Sequence, residues 1–447
     1  MTRFKCWVWR SYGLALCSLV SLSRAFAQDA PPNPAPPTAA AASHVVTLAE
    51  ALDTARKHAP ELRQAAAQTE AARARVAIGR APLLPQVTGT ASYARGTANG
   101  PQATQSRSSL GTRDSFAAGV RVTQLIYDFG QAWNSKEAAR LNAQAQEQNE
   151  HAAALEIAFN VRTAFLTAAA NHALTDVALA TLANQDRHRA QIQGFVEVGT
   201  RPPIDLAQSR TDVANARLAV LRAQNAYAGA KAELSRAMGV ASDPGFEVDA
   251  ALPPPEADES ADIDALMHKA ERERPEFAAL KRQMLAQRAT LRSIRGQYGP
   301  SLNFVGNVDE NGYRLSSMAT NLSAGVNLSW PIFQGGITNG RVDEASAQLN
   351  AFQAQLDELR ADLRLALTQA VLSVSAAREA LTVASELVGL AQERVRLAEG
   401  RYTTGVGNAI ELGDAELSLR DAQTQRVTAE YDLAQARTLL RRSMGRD

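Results

Sequence analysis

Residues 321–336 run Asn321-Leu322-Ser323-Ala324-Gly325-Val326-Asn327-Leu328-Ser329-Trp330-Pro331-Ile332-Phe333-Gln334-Gly335-Gly336. Leu322, Ala324, Val326, Leu328 and Trp330 alternate with Ser323, Gly325, Asn327 and Ser329, the period-two pattern of a strand with one apolar face. Just upstream, Leu302, Phe304, Gly306 and Val308 alternate with Asn303, Asn307 and Asp309. Two strands, about 301–310 and 321–330, therefore form a hairpin whose polar tip spans Glu310–Thr320. Downstream of the glycines the period changes. Leu349, Phe352, Leu356, Leu359 and Leu363 step by three and four, which marks a long helix over about 337–400.

The same order occurs earlier in the chain. Pro60-Glu61 recurs as Pro275-Glu276, and the same offset carries Arg73 onto Arg288, Arg80 onto Arg295 and Pro85 onto Pro300. A slightly shorter offset carries Gly199 onto Gly405, Ile204-Asp205-Leu206 onto Ile410-Glu411-Leu412, and Met238-Gly239 onto Met444-Gly445. The chain is thus a duplicated half-protein, with first repeat 47–238, linker 239–261 and second repeat 262–445. The first repeat has strands at about 86–95 and 115–125, joined by a polar tip around Thr97–Arg113. Its helices fall at about 131–197 and 203–238; those of the second repeat fall at about 337–400 and 409–444. Between Gln131 and Gln193 there is neither glycine nor proline, enough helix for about 95 Å at ~1.5 Å per residue. Glycine turns at Gly199 and Gly405 separate each long helix from its return helix. A shorter helix capped by Thr47 covers 47–58, and another runs from Pro60 toward residue 80.

Composition agrees with long, closely packed helices: aromatics are only 5% while alanine and glutamine abound. The net charge is +1, from 47 basic and 46 acidic residues, and no basic patch points to nucleic acid. Residues 1–27 read as a cleaved signal peptide, with Arg3, Lys5 and Arg10 ahead of an apolar run and Ala25-Phe26-Ala27 at its end. Both cysteines, Cys6 and Cys17, lie inside it, so the mature chain is expected to have no disulfide. Leu16 fits a lipoprotein cleavage box poorly, and an unlipidated N-terminus near Gln28 is expected. Residues 28–46 read as a flexible proline- and alanine-rich lead-in.

Two hairpins per chain cannot close a barrel, yet strands of about 9–11 residues suffice to cross a bilayer tilted. Open sheet edges are not tolerated in lipid. Membrane-inserted hairpins would have to be shared: three chains would supply about twelve strands, with the helices continuing as a coiled-coil tube. The expected fold class is mainly α, a duplicated long-helix tunnel with membrane β-hairpins contributing four strands per chain to a shared barrel.

This arrangement resembles the TolC family of bacterial outer-membrane channel proteins over about residues 47–445. The resemblance rests on the duplication, the element order and two strand-to-helix junctions, Gln124-Leu125-Ile126-Tyr127-Asp128-Phe129-Gly130 and Ser329-Trp330-Pro331-Ile332-Phe333-Gln334-Gly335-Gly336. It implies a homotrimer, a barrel in outer-membrane lipid, and a helical tunnel through the periplasm. It also implies a passive duct served by a periplasmic adaptor (membrane fusion) protein and an inner-membrane ABC, RND or MFS pump. Carried over from the turn glycines, Glu411 and Asp414 match the acidic pair that narrows the pore at the tip, Asp205 the acid at the first turn, and Tyr402 the tyrosine that hydrogen-bonds it; Arg210 also fits. Clustered carboxylates in a confined pore would favour cations, although acids at a helix start are also favoured by the dipole. The family's arginine two residues after the second turn glycine is replaced by Gly407, so one closing salt bridge is expected to be absent.

No catalytic, cofactor or metal set stands out. The six histidines (His44, His58, His151, His172, His188 and His268) are scattered, and His188, between Arg187 and Arg189, reads as part of a solvated face. An enzyme is not expected. A periplasmic coiled-coil adaptor or scaffold would share the signal peptide and long helices, but two helical hairpins and ten-residue amphipathic strands fit a channel better. The cargo stays open between small toxic compounds and a protein of a type I secretion system, the poor lipid box leaning toward the latter.

Overall fold

The computed structural model describes residues 44–97, 112–240, 245–250, 259 and 262–446. The expected signal peptide with both cysteines, nearly all of the lead-in and most of the first hairpin tip lie outside them. Strand β1 (His44–Val46) precedes helices α1 (Leu48–His58) and α2 (Pro60–Arg80), then strands β2 (Gln86–Thr97) and β3 (Thr112–Tyr127). Helix α3 (Gln131–Glu197) and return helix α4 (Pro203–Ala237) follow. After the short strand β4 (Phe246–Val248), the order repeats as α5 (Ile263–Glu273), α6 (Pro275–Gly296), β5 (Ser301–Gly312), β6 (Ala319–Ser329), α7 (Ile337–Thr403) and α8 (Ala409–Ser443). The repeat is close: α3 and α7 each have 67 residues, and α4 and α8 each have 35.

Two short elements depart from the sequence reading. β1 lies at the end of the expected flexible lead-in and β4 inside the expected linker; they pair in parallel, His44 opposite Phe246 and Val46 opposite Val248. Three residues are too few to show a period, and the pair is held by burial of Val46 and Val248 against α3 and α4. Glu259, from the acidic end of the linker, is likewise buried, with Oε1 2.7 Å from Nε of Arg437 and a second contact to Arg378.

The four long strands form one antiparallel sheet in the order β2-β3-β5-β6. Its register places like with like. Val87 faces Val122, Tyr93 faces Phe116, Phe304 faces Val326 and Val308 faces Leu322, all on one side. The other side is polar, where Arg121 donates to Asn307 (2.9 Å) and Asn307 to Ser323 (3.3 Å). Both sides are largely exposed in the chain by itself, and β2 and β6 are free edges. The sheet passes into helix through left-handed turns: Phe129 and Gly130 have φ of 52° and 79°, and Gly335 and Gly336 have 61° and 82°. Asp128 then caps α3, accepting from the N–H groups of Gly130 (3.1 Å) and Ala132 (2.7 Å).

The two largest apolar cores run along the helices. One gathers Val161, Phe165 and Leu166 of α3 with Leu234 of α4 and Tyr431 of α8; the other gathers Phe277 of α6, Leu363 and Leu367 of α7 and Leu440 of α8. Alanine occupies many of the other buried positions, which lets helices approach closely. The apolar middle of α3 is long and hydrophobic enough to cross a membrane by composition. Its largest side chains instead lie in the first core.

Candidate functional site at the helical tip

α3 and α7 both run from the sheet to the opposite end of the molecule, where their turns meet. Each turn is a glycine C-cap. Gly199 (φ 74°) and Gly405 (φ 84°) take the left-handed conformation. The N–H of Thr200 reaches back to Phe195 O, and that of Val406 to Arg401 O, both at 3.0 Å. α8 then starts on Asn408, whose side chain accepts from the Glu411 N–H at 2.7 Å.

Beneath the turns lies a small core of Ile192, Ala398, Tyr402, Leu412 and Ala415. Tyr402 is its centre, only 1% exposed, with the Phe195 ring edge-on at 6.3 Å. Its hydroxyl is buried without a hydrogen-bond partner. The expected bond from Tyr402 to Asp205 is therefore not made within the chain. Asp205 is near enough to act by charge: burial first, then the Asp205 carboxylate, raise the Tyr402 pKa, while Arg201 opposes them.

Arg201 makes the link instead. Its guanidinium stacks on the Tyr402 ring at 4.3 Å and donates to the Tyr402 carbonyl at 2.7 Å and to the Gly407 carbonyl at 3.4 Å. It thus joins the first turn to the second by a cation–π contact and by hydrogen bonds. Sequence reasoning passed over it, though the repeat contains the signal: Arg201 stands two residues after Gly199, as Gly407 stands two after Gly405. The arginine missed at the second turn is present at the first. A side chain at Gly407 would be crowded, its Cβ 3.0 Å from Arg401 Cβ and 3.1 Å from the Arg401 carbonyl carbon.

The other expected site residues are spread along the helix starts. Glu411, in the first turn of α8, pairs with Arg401 at 3.5 Å, an exposed contact of small energy. Asp414 is exposed and lines a cleft of about 720 Å³ between α3, α4 and α8, together with Asp212 and Glu416. Burial, reinforced by Glu416, pushes the Asp212 pKa up despite its hydrogen bond from Gln208. Arg210 is exposed on α4, outside the Tyr402 cluster. His188 is not on a solvated face. Its Nε2 lies 2.7 Å from Oε1 of Glu416, and the two side chains are only 13% and 14% exposed. Periodicity could not reveal this, because α8 supplies the partner from far along the chain.

The chain matches the family described as outer membrane efflux protein over residues 51–240 and 266–446. Among curated relatives, the toluene efflux pump outer membrane protein TtgC of Pseudomonas putida is 26% identical over 315 residues, covering 68% of this chain. The alignment spans 63% of that relative's length. Protein CyaE of Bordetella pertussis is 28% identical over 335 residues, 72% of this chain and 67% of the relative. Among solved structures, the Campylobacter jejuni CmeC outer membrane channel superposes with a TM-score of 0.78 at 17% identity, over 89% of this chain and 85% of that one. At that identity the likeness concerns the fold.

Proposed function

The chain belongs to the outer membrane efflux protein family, which groups it with transport components of the outer membrane rather than with enzymes, and from that premise we propose that it is a passive trimeric exit duct. One observation carries the reading: a four-stranded sheet with two free edges and a continuous apolar face. In lipid each unpaired edge group costs several kcal/mol, so β2 of one copy pairs with β6 of the next until a barrel closes. Three copies close a barrel of about twelve strands, within the range of such barrels. The long helices carry the lumen on from the barrel toward a periplasmic adaptor and an inner-membrane ABC, RND or MFS pump. The duct stores no energy, so the pump supplies it.

The tip is the gate in this reading. Glu411 and Asp414 project from the start of α8, and threefold repetition brings them around one axis, where carboxylates attract cations. Arg201 and Tyr402 hold the two turns of each protomer together, Asp205 acts on Tyr402 by charge alone, and Gly199 and Gly405 give the turns their shape. Cargo is either a small toxic compound, the class named in the toluene efflux pump outer membrane protein TtgC, or an exported protein. Native mass measurement of detergent-solubilised protein is expected to give three chains per particle; a monomer or dimer would refute the shared barrel.

A further inference from the structure

Beside the tip core, three side chains from three helices converge: His188 of α3, Glu399 of α7 and Glu416 of α8. We propose that they form a site for one divalent transition-metal ion of the zinc class, a staple between the two repeats. One ligand atom of each lies within 4.8 Å of the other two. Nε2 of His188 is buried and lies 2.7 Å from Oε1 of Glu416, an ion pair when the ring is protonated. A metal ion would take the place of the proton that the ring and the carboxylate share.

The donor set selects the ion. One imidazole nitrogen and two carboxylate oxygens suit Zn²⁺ and its neighbours. Calcium and magnesium prefer oxygen alone, and copper(I) prefers sulfur. Ligand atoms bound at ~2.0–2.2 Å stand roughly 3.2–3.5 Å apart, so the His188–Glu416 pair would open slightly and Glu399, exposed on α7, would swing inward. The supporting contacts are already present. Gln185 donates to Oε2 of Glu416 at 2.7 Å, leaving Oε1 toward the ring, and Gln191 lines the same cleft beside His188. Such contacts orient ligands before metal arrives. The neighbouring guanidiniums are engaged elsewhere, Arg420 with Asp421 at 2.7 Å and Arg187 with Asn184, so neither takes Glu416. A polar cleft of about 350 Å³ opens beside the three side chains, with room for water ligands.

The site exists once per chain. The repeat equates His188 with Arg394 and Glu416 with Arg210, so the symmetric position has no ligands. The inference does not rest on the channel reading, since it concerns contacts within one protomer.

Full-length protein in detergent, stripped with EDTA, is titrated with Zn²⁺ alone by calorimetry, and its thermal midpoint is followed by circular dichroism. One ion per chain and a raised midpoint are expected. His188→Gln and Glu399→Gln should weaken binding at least about tenfold, as lesser changes around metal sites do. His151→Gln, an exposed histidine elsewhere on α3, should bind as wild type. Co²⁺ in place of Zn²⁺ should give visible absorption that His188→Gln alters. Should His188→Gln fail to fold, Glu399→Gln carries the test, because Glu399 is exposed. Absence of saturable binding in wild type, or binding that Glu399→Gln leaves unchanged, overturns the site.

Discussion

Arg201 and Tyr402 show how much one residue's surroundings alter its meaning. The tyrosine hydroxyl is buried and unpaired within the chain, so removing it removes a desolvated group without a partner. Tyr402→Phe is therefore expected to leave tip stability unchanged or slightly higher. Arg201→Ala removes the ring contact and the bonds to the second turn, about 1–3 kcal/mol, and should raise open-state conductance in planar bilayers. Equal effects of the two substitutions would restore the tyrosine hydroxyl as the lock. A second polar cluster concerns stability. Tyr227 donates to Oε2 of Glu247 at 2.6 Å and accepts from the buried Val248 N–H at 3.2 Å. Burial, then Glu247, push the Tyr227 pKa up, while the Tyr227 hydrogen bond, followed by Lys231, holds the Glu247 carboxyl below its usual 4.5. Tyr227→Phe should cost about 1–3 kcal/mol. A depressed carboxyl stabilises above its unfolded value and ceases to as pH falls through the folded one. The wild-type advantage in thermal melts should thus be widest near neutral pH and narrow below 4.5.

At the scale of elements, the four long strands and the long helices were legible because their signals are periodic and repeated. Leu322 to Trp330 announces its apolar side by alternation alone, and the sheet register aligns that side with its neighbours: Phe304 with Val326, and Val308 with Leu322. If this side meets lipid, Val326→Arg at mid-strand should cost about 2–4 kcal/mol, while Asn327→Arg on the lumen side should be tolerated. Heat stability of the assembly on a gel measures the difference; equal losses would mean that the apolar side is not the lipid side. The strand pair β1–β4 was not legible. Three residues show no period, and Val46 and Val248 become strand only by packing on α3 and α4.

For the whole molecule, selectivity follows from symmetry more than from any one chain. Glu411 and Asp414 are exposed within a protomer, and only repetition around an axis would concentrate their charge. Glu411→Ala with Asp414→Ala should move the reversal potential under a salt gradient toward that of an unselective pore. A wild-type value in the double mutant would leave them as helix-start acids, favoured by the dipole. The sequence by itself determined the duplication, the element order, the two faces of each strand and the glycine turns, because all of these depend on neighbours a few residues away or on comparing one half with the other. Only the tertiary structure decided that Arg201 holds Tyr402, that the Tyr402 hydroxyl leaves Asp205 unbonded, and that His188 faces Glu416. Those contacts depend on how helices from different repeats rotate to bury their alanine-lined seams. A rotation that no local pattern encodes sets which polar side chains are buried together.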